Sequence, residues 1–208
     1  MSSENNCILD TVVLLYFLLA EEEELLGNLV GWPLRVPCAV YDPEDWAMPL
    51  DPSPRPELSS EMRQAEVYYA SSAMETGDTG ATWRVSKVDR LHEEGRLVVV
   101  AMDPDEQRLA DDLQGAGAFE LGLKVPLSPG EAACVAIAIR RQWTIATDDS
   151  DALKVLAGLQ GNSEYRYERI RKLLVRAANE GLVSESGANR IHARIVSYGF
   201  WDTGCPFP

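Results

Sequence analysis

Apolar residues fall along this chain in short blocks separated by polar breaks, and the blocks alternate between strand-like and helix-like periods. Cys7-Ile8-Leu9 is a brief apolar run that stops at Asp10, and a helical apolar stretch from Thr11 to Ala20 follows at once. Strand, acid, helix is the first unit predicted. The acidic run Glu21 to Glu24 reads as a solvated helix end, and Gly27-Asn28 closes that element. Val36 to Tyr41 carries Pro37 inside it and reads either as a short strand or as a helix start. Pro49, Pro52, Pro54 and Pro56 exclude regular structure between Met48 and Leu58. Helical pattern resumes over Glu57 to Met74, with Met62, Ala65, Tyr69 and Ala73 near one face, and again over Trp83 to Glu94. Leu97 to Ala101 is a β-branched strand candidate that ends before Asp103-Pro104-Asp105, and Glu106 to Leu113 is a helix.

The stretch from Leu127 to Leu156 says most. Ser128 is an N-cap, Pro129 sits at the first helical position, and Glu131 falls three residues after the cap. Ala132 to Ile139 is apolar all round, which predicts a buried helix. Trp143 to Thr147 suits a core strand, and Asp148, Asp149 and Asp151 emerge together where it leaves the sheet. Beyond it, Tyr165 to Glu180 is predicted as one long helix. Its inner face would be Ile170, Leu173, Leu174 and Ala177, and Arg166, Arg169, Lys172 and Arg176 would lie outside. Ser186 to Tyr198 forms the last helix.

Each acid has two readings. Glu131 completes a Ser-x-x-Glu capping box with Ser128 or joins a functional site. Asp10 and Asp149 are helix caps or site residues. What favours a site is their common place: in an open parallel sheet the carboxyl edge is where ligands bind, and clustered carboxylates repel unless a cation is present.

The 208-residue length suits one sizeable domain with its own core. The longest apolar run, Thr11 to Ala20, is too short to span a bilayer, and Met1 to Asn6 lacks the positive charge of a secretory signal. A cytoplasmic location away from membranes is expected. Cys7, Cys38, Cys134 and Cys205 are scattered, and His92 and His192 are isolated, so zinc-ligand spacing is missing. Net charge is −14, which disfavours a polyanion partner, but its distribution is uneven. Residues 1–139 hold 9 basic and 25 acidic side chains, whereas residues 140–200 hold 10 basic and 7 acidic. A nucleic-acid contact is therefore expected towards the C-terminal third.

Taken in order, Ile8-Leu9-Asp10-Thr11, Pro37 to Tyr41 followed by acids, Gly130-Glu131-Ala132 opening an apolar helix, and Ala146-Thr147-Asp148-Asp149 after a strand resemble the PIN-domain nucleases. Within them the chain is most similar to the VapC-like toxin branch. Glu180-Gly181-Leu182-Val183 and Tyr198-Gly199-Phe200 fit that branch too. The resemblance covers about residues 7–42 and 125–200 and implies a single α/β domain: a three-layer α/β/α fold with a mainly parallel central sheet. The Pro-rich loop and helices at about 48–123 would be an insertion.

The activity implied is metal-dependent endoribonuclease cleavage by the toxin of a toxin–antitoxin pair. The implied cofactor is Mg²⁺ or Mn²⁺, which hard carboxylate oxygens select over zinc. Asp10 and Asp148 would be the principal ligands, Glu131 a ligand or water-orienting base, and Asp149 a partner in the second shell or at a second metal. Asp42 and Glu44 compete for a further acid, and Asp151 is another candidate. Thr11 would hold a carboxylate or a phosphate. Ser163 corresponds to the polar residue the family carries after a short strand, although Gly158 to Ser163 offers Leu159 alone as strand-like. Arg166, Arg169, Lys172 and Arg176 would meet the RNA. Beyond RNA, the implied partners are an antitoxin protein and a second copy of the chain in a homodimer. Two rivals stand beside this reading: a PIN-fold protein that binds a partner without cutting, and a small metal-dependent nucleotide hydrolase.

Overall fold

The alternation of apolar blocks becomes a set of short parallel strands wrapped by helices. A computed structural model describes residues 6–45, 60–77, 79–160 and 166–207. In chain order, β1 (Cys7–Leu9) leads into α1 (Thr11–Leu19) and α2 (Glu23–Val30), then β2 (Leu34–Pro37). Next come α3 (Glu61–Thr76), α4 (Gly80–Val85), α5 (Lys87–Glu93) and β3 (Leu97–Val100). After α6 (Pro104–Leu113), α7 (Ala116–Glu120) and α8 (Pro129–Arg141) the chain enters β4 (Thr144–Ala146) and α9 (Ser150–Gln160). It ends with β5 (Tyr167–Glu168), α10 (Ile170–Asn179) and α11 (Glu185–Ser197).

All three ladders are parallel. β1 pairs with β4, with Cys7 opposite Thr144 and Leu9 opposite Ala146, and β4 pairs with β5. β2 pairs with β3, Leu34 opposite Leu97. β1 and β2 are close neighbours without a hydrogen-bonded ladder between them, so the strands run β3-β2-β1-β4-β5 across the molecule. The chain is thus an α/β protein of short parallel strands, an arrangement consistent with three α/β/α layers. Among the described residues no helix is long and apolar enough to cross a membrane.

The core explains the central position of α8. Gly130 and every residue from Ala132 to Ala138 are buried. Four alanines in that stretch let the helix lie close against β1, where the Cys134 thiol donates to the Leu9 carbonyl at 3.4 Å. Each large apolar side chain sealed there, such as Val135 or Ile137, contributes about 1.5–3 kcal/mol. The C-terminal end of α8 is tied to α6 by a buried ion pair. Glu106 is 0 % exposed and receives Arg141 through both carboxylate oxygens, at 2.6 and 2.7 Å. Glu106 also completes a capping box with Asp103, so the acids at the exit of β3 serve as caps.

Within the stretch expected as an insertion, α3, α4 and α5 lie between β2 and β3, and β3 pairs parallel with β2. The expected helix from Tyr165 starts later. Tyr167 and Glu168 are a strand against β4, with the Thr147 amide donating to the Glu168 carbonyl at 3.0 Å, and α10 begins at Ile170. Its inner face is the expected one, since Ile170, Leu173, Leu174 and Ala177 are all fully buried. The Pro-rich stretch at 48–58 and Ser163 lie outside the described residues.

Candidate functional site

Register brings the first acid to the sheet edge. Because Leu9 sits opposite Ala146, the next residues on each strand, Asp10 and Thr147, meet at the carboxyl ends of β1 and β4. Asp10 is 1 % exposed and caps α1: its Oδ1 accepts the Thr11 amide at 2.7 Å, and its Oδ2 accepts the Thr147 hydroxyl at 2.7 Å. The Thr147 hydroxyl oxygen in turn accepts the Asp149 amide at 3.0 Å. Asp149 caps α9, its Oδ1 receiving the amides of Asp151 and Ala152 at 2.7 Å each.

The second side of the site comes from α3. The chain returns after residue 59 to the turn that follows β2, where the Glu61 and Met62 amides donate to the carbonyls of Ala39 and Val40 at 3.0 and 2.9 Å. This puts Glu61 at the first turn of α3 facing α1 and α8. Its Oε2 takes a short hydrogen bond from the Thr11 hydroxyl, and its Oε1 accepts the Gly130 amide at 2.9 Å. Gly130 has to be glycine for this approach, because a Cβ there would stand 2.7 Å from Glu61 Cδ and 2.8 Å from Oε1. The amide of the α8 first turn is a natural seat for a carboxylate.

Glu131 takes up the cap role expected of it. It closes the capping box, its Oε2 accepting the Ser128 amide at 2.9 Å while Ser128 Oγ accepts the Glu131 amide at 3.3 Å. It also stands among the acids. Burial raises its pKa, the capping bonds oppose that, and the charges of Asp149 and Glu61 raise it further. Asp10 is pushed up to about 7, first by burial and then by Glu61 and Glu131, against the lowering effect of its Thr147 and Thr11 bonds. Thus Asp10, Glu61, Glu131 and Asp149 form one electrostatic unit joined through Thr11, Thr147 and Gly130.

Asp148 turns the other way. Its Oδ2 accepts the Ile170 amide at 2.9 Å, and its charged neighbours are Arg169 and Asp202. Burial is the main reason its pKa rises to about 6, the Ile170 and Arg169 contributions opposing it. Asp10 is linked through Thr11 to Glu61, whereas Asp148 bonds the start of α10; Thr147 and Asp148, successive residues leaving an extended strand, point to opposite sides. Asp42 is occupied in its own turn, accepting the Glu44 amide at 2.9 Å and the Cys38 thiol at 3.2 Å, and Glu44 is exposed. Asp151 pairs with Lys154 at 2.6 Å. Among the described residues, none of these three hydrogen-bonds to a partner of Asp10 or Glu131.

The expected basic face is also partly spent. Arg176 bonds Glu168 and the Leu29 carbonyl, and Lys172 bonds the Tyr167 carbonyl at 2.7 Å and approaches Glu168 at 3.6 Å. Their first task is to seat α10 against β5 and α2. Arg166 is exposed, and Arg169 lies half-buried beside Asp148.

Glu61 and Thr147 are the site residues that pattern reading passes over. Glu61 had one signal, its place after Ser60 at the start of a helix; Thr147 had none beyond following a strand.

Comparison with known proteins finds no match to a family model, a curated protein or a solved structure.

Among the described residues, no three His, Cys, Asp or Glu side chains are grouped so as to hold a metal ion as they stand. Each carboxylate is fixed by its own hydrogen bonds, but Glu131 Oε1 and Asp149 Oδ2 have no protein donor among the described residues. The donor chemistry suits a hard cation. Four carboxylates with no thiolate or imidazole among them match Mg²⁺ or Mn²⁺ rather than zinc. A divalent cation would also offset the mutual repulsion that raises the pKa of Asp10.

Proposed function

We propose that this chain is a PIN-like, Mg²⁺- or Mn²⁺-dependent endoribonuclease, acting as the toxin of a toxin–antitoxin pair. One observation carries the reading: at the carboxyl edge of parallel strands, Thr11 and Thr147 link the Asp10 carboxylate by hydrogen bonds to the Glu61 carboxylate and the Asp149 amide, and Glu131 stands within electrostatic range of Asp10, Glu61 and Asp149. A structural cap needs one carboxylate at one helix end. Four acids from separate elements within electrostatic range, at a cost in charge repulsion, support a ligand of opposite charge.

Asp10, Glu61 and Asp149 would hold the cation. When bound, it supplies Lewis-acid polarisation of a phosphodiester oxygen and offsets the charge that develops there. The chain's own contributions follow from the contacts above. Thr11 and Thr147 orient the carboxylates of Glu61 and Asp10, so little reorganisation is needed when substrate arrives. Glu131 Oε1, without a protein donor among the described residues and raised in basicity by its acidic neighbours, accepts the proton of the attacking water. Arg166 and Arg169 are the basic groups left to meet the RNA backbone.

The test is cleavage of cellular RNA in Mn²⁺ by wild type, Glu61→Gln, Glu131→Gln and Asp148→Asn. Glu131→Gln should lose on the order of 10²–10⁴ in rate, as expected for removal of a general base. Glu61→Gln should be at least as damaging, and Asp148→Asn, at a residue not among the proposed cation ligands, should keep its dependence on Mn²⁺. No cleavage by wild type in either metal would remove the nuclease reading and leave the partner-binding protein in its place. Equal cleavage by wild type and Glu61→Gln would remove Glu61 from the site.

A further inference from the structure

The acid network borders a cavity that none of the preceding chemistry uses. It encloses about 370 Å³ between Val12 and Tyr16 of α1, Asp148, Asp149 and Ser150 at the exit of β4, and Trp201 of the C-terminal tail. Trp201 is 63 % exposed, although the segment around it is firmly held. Phe200 is buried, and its ring meets Tyr16 edge-on at 5.2 Å and Trp201 at 5.7 Å with a 45° tilt. Further along, Asn189 and Phe207 exchange two hydrogen bonds of 3.1 Å, and Asp202 Oδ1 accepts the Gly204 amide at 3.0 Å. An indole anchored on both sides yet open to solvent is a preorganised stacking platform.

The acidic part of the lining limits what can stack there. Asp149 belongs to the acid network, and Asp148 has an Oδ1 with no protein donor among the described residues, its Oδ2 being taken by the Ile170 amide. Two carboxylates repel phosphate and attract hydrogen-bond donors. A flat ring carrying an amino group suits both the indole and the carboxylates.

We propose that this cavity receives one unpaired nucleobase of the RNA, stacked on Trp201 with its exocyclic amino group donating to Asp148 Oδ1. The assignment to RNA rests on the ribonuclease reading above; the preference for a base follows from the cavity itself. A base within a duplex cannot reach the platform, so the substrate is single-stranded or looped at this position. Adenine, cytosine and guanine carry an exocyclic amino donor, whereas uracil has only its ring N3–H, flanked by two carbonyl oxygens that the carboxylates repel. Stacking also gives affinity without a broad basic groove, which matters in a chain of net charge −14 whose Arg176 and Lys172 are already engaged.

The experiment follows the indole N–H signals of the full chain in ¹⁵N-correlated NMR, in EDTA, during titration with adenosine, cytidine and uridine. Trp201→Phe assigns the Trp201 signal among the five tryptophans. Saturable movement of that signal with adenosine and cytidine, about tenfold weaker with uridine, and no movement of the other four, is the expected result. Asp148→Asn should raise uridine binding relative to adenosine, because an amide can donate to a carbonyl. In a second arm, the dinucleotide ApA should move the signal at lower concentration than adenosine 5′-monophosphate; the reverse order would give the cavity to a free nucleotide and overturn the RNA assignment. An unmoved Trp201 signal, or equal response to all three nucleosides, would overturn the base pocket. Neutral nucleosides without metal report on the cavity alone. Asp149-dependent cleavage without nucleoside binding therefore sinks the pocket and leaves the nuclease, and nucleoside binding without cleavage does the opposite.

Discussion

Replacing Asp10 by asparagine should stabilise the metal-free protein at pH 8 and flatten its pH dependence. In the folded chain this carboxyl is held at about 7, against an ordinary 3.8. Between those values the unfolded state has released its proton and the folded state keeps it, so the unfolded state binds fewer protons. Stability must therefore fall as pH rises from about 4 to about 7, and stay reduced above that. The full penalty is roughly 4 kcal/mol, and roughly 3 kcal/mol of it develops between pH 5 and pH 8. Asparagine keeps the volume and removes the charge. It also disturbs one hydrogen bond, because Thr147 Oγ already accepts the Asp149 amide and would have to accept from the new amide as well. That costs about 1 kcal/mol, leaving a net gain near 2–3 kcal/mol at pH 8. In a domain of this size such a gain raises Tm by roughly 4–12 °C. Asp148, pushed up to about 6, titrates in the same direction, so the variant should retain a shallower slope rather than none. The assay is thermal unfolding in EDTA from pH 5 to pH 8, repeated with Mn²⁺. Mn²⁺ should raise the wild-type Tm most at pH 8, where Asp10 is ionised, and chelation should reverse the rise; Asp10→Asn should lose most of that response. A variant less stable than wild type at pH 8, or equally steep in its pH dependence, would refute the electrostatic account.

Two further changes probe the framework of the site. Gly130→Ala would normally favour a helix by up to about 1 kcal/mol, yet here its Cβ would meet the Glu61 carboxylate at 2.7–2.8 Å. It should displace Glu61 and abolish Mn²⁺-dependent stabilisation while the far-ultraviolet circular dichroism stays that of wild type; an unaltered Mn²⁺ response would show that Glu61 does not need this seat. Arg141→Met leaves the fully buried Glu106 without its bidentate partner, which should cost about 3–5 kcal/mol in urea unfolding. A loss below 1 kcal/mol would mean that the capping bond to Asp103 suffices to hold Glu106.

How much of this was legible in the sequence depends on how local each feature is. The strands at Cys7–Leu9, Leu97–Val100 and Thr144–Ala146 and the buried helix after Ser128 follow from composition over a few residues, and they stand where the pattern puts them. The two-residue strand Tyr167–Glu168 could not be read, because two residues establish no period and the following helix has a strong one. Arg169, Lys172 and Arg176 illustrate a different limit. Helical spacing places them on one side, but a neighbouring Glu168 and the Leu29 carbonyl decide that Arg176 docks a helix instead of facing solvent.

The acids show why a site is harder to read than a fold. A reader of the chain sees Asp42 and Glu44 right after Pro37 to Tyr41 and looks for the second acid there. In space, the backbone beyond residue 59 comes back to Ala39 and Val40 and delivers Glu61 beside Thr11 and Gly130, a proximity that the sequence distance hides. Asp148 and Asp149 are adjacent, and only the register of β4 against β1 and β5 determines that Asp149 reaches the Thr147–Asp10 network and Asp148 the start of α10. For Glu131, cap and candidate site are compatible. A carboxylate has two oxygens; one closes the capping box, and the group as a whole feels the charges of Asp149 and Glu61. Under the proposed nuclease reading, the cap would also position this carboxylate. That has a consequence for substitution: Ser128→Ala, which removes a cap worth about 1 kcal/mol, should loosen Glu131 and so lower cleavage by more than its effect on stability accounts for.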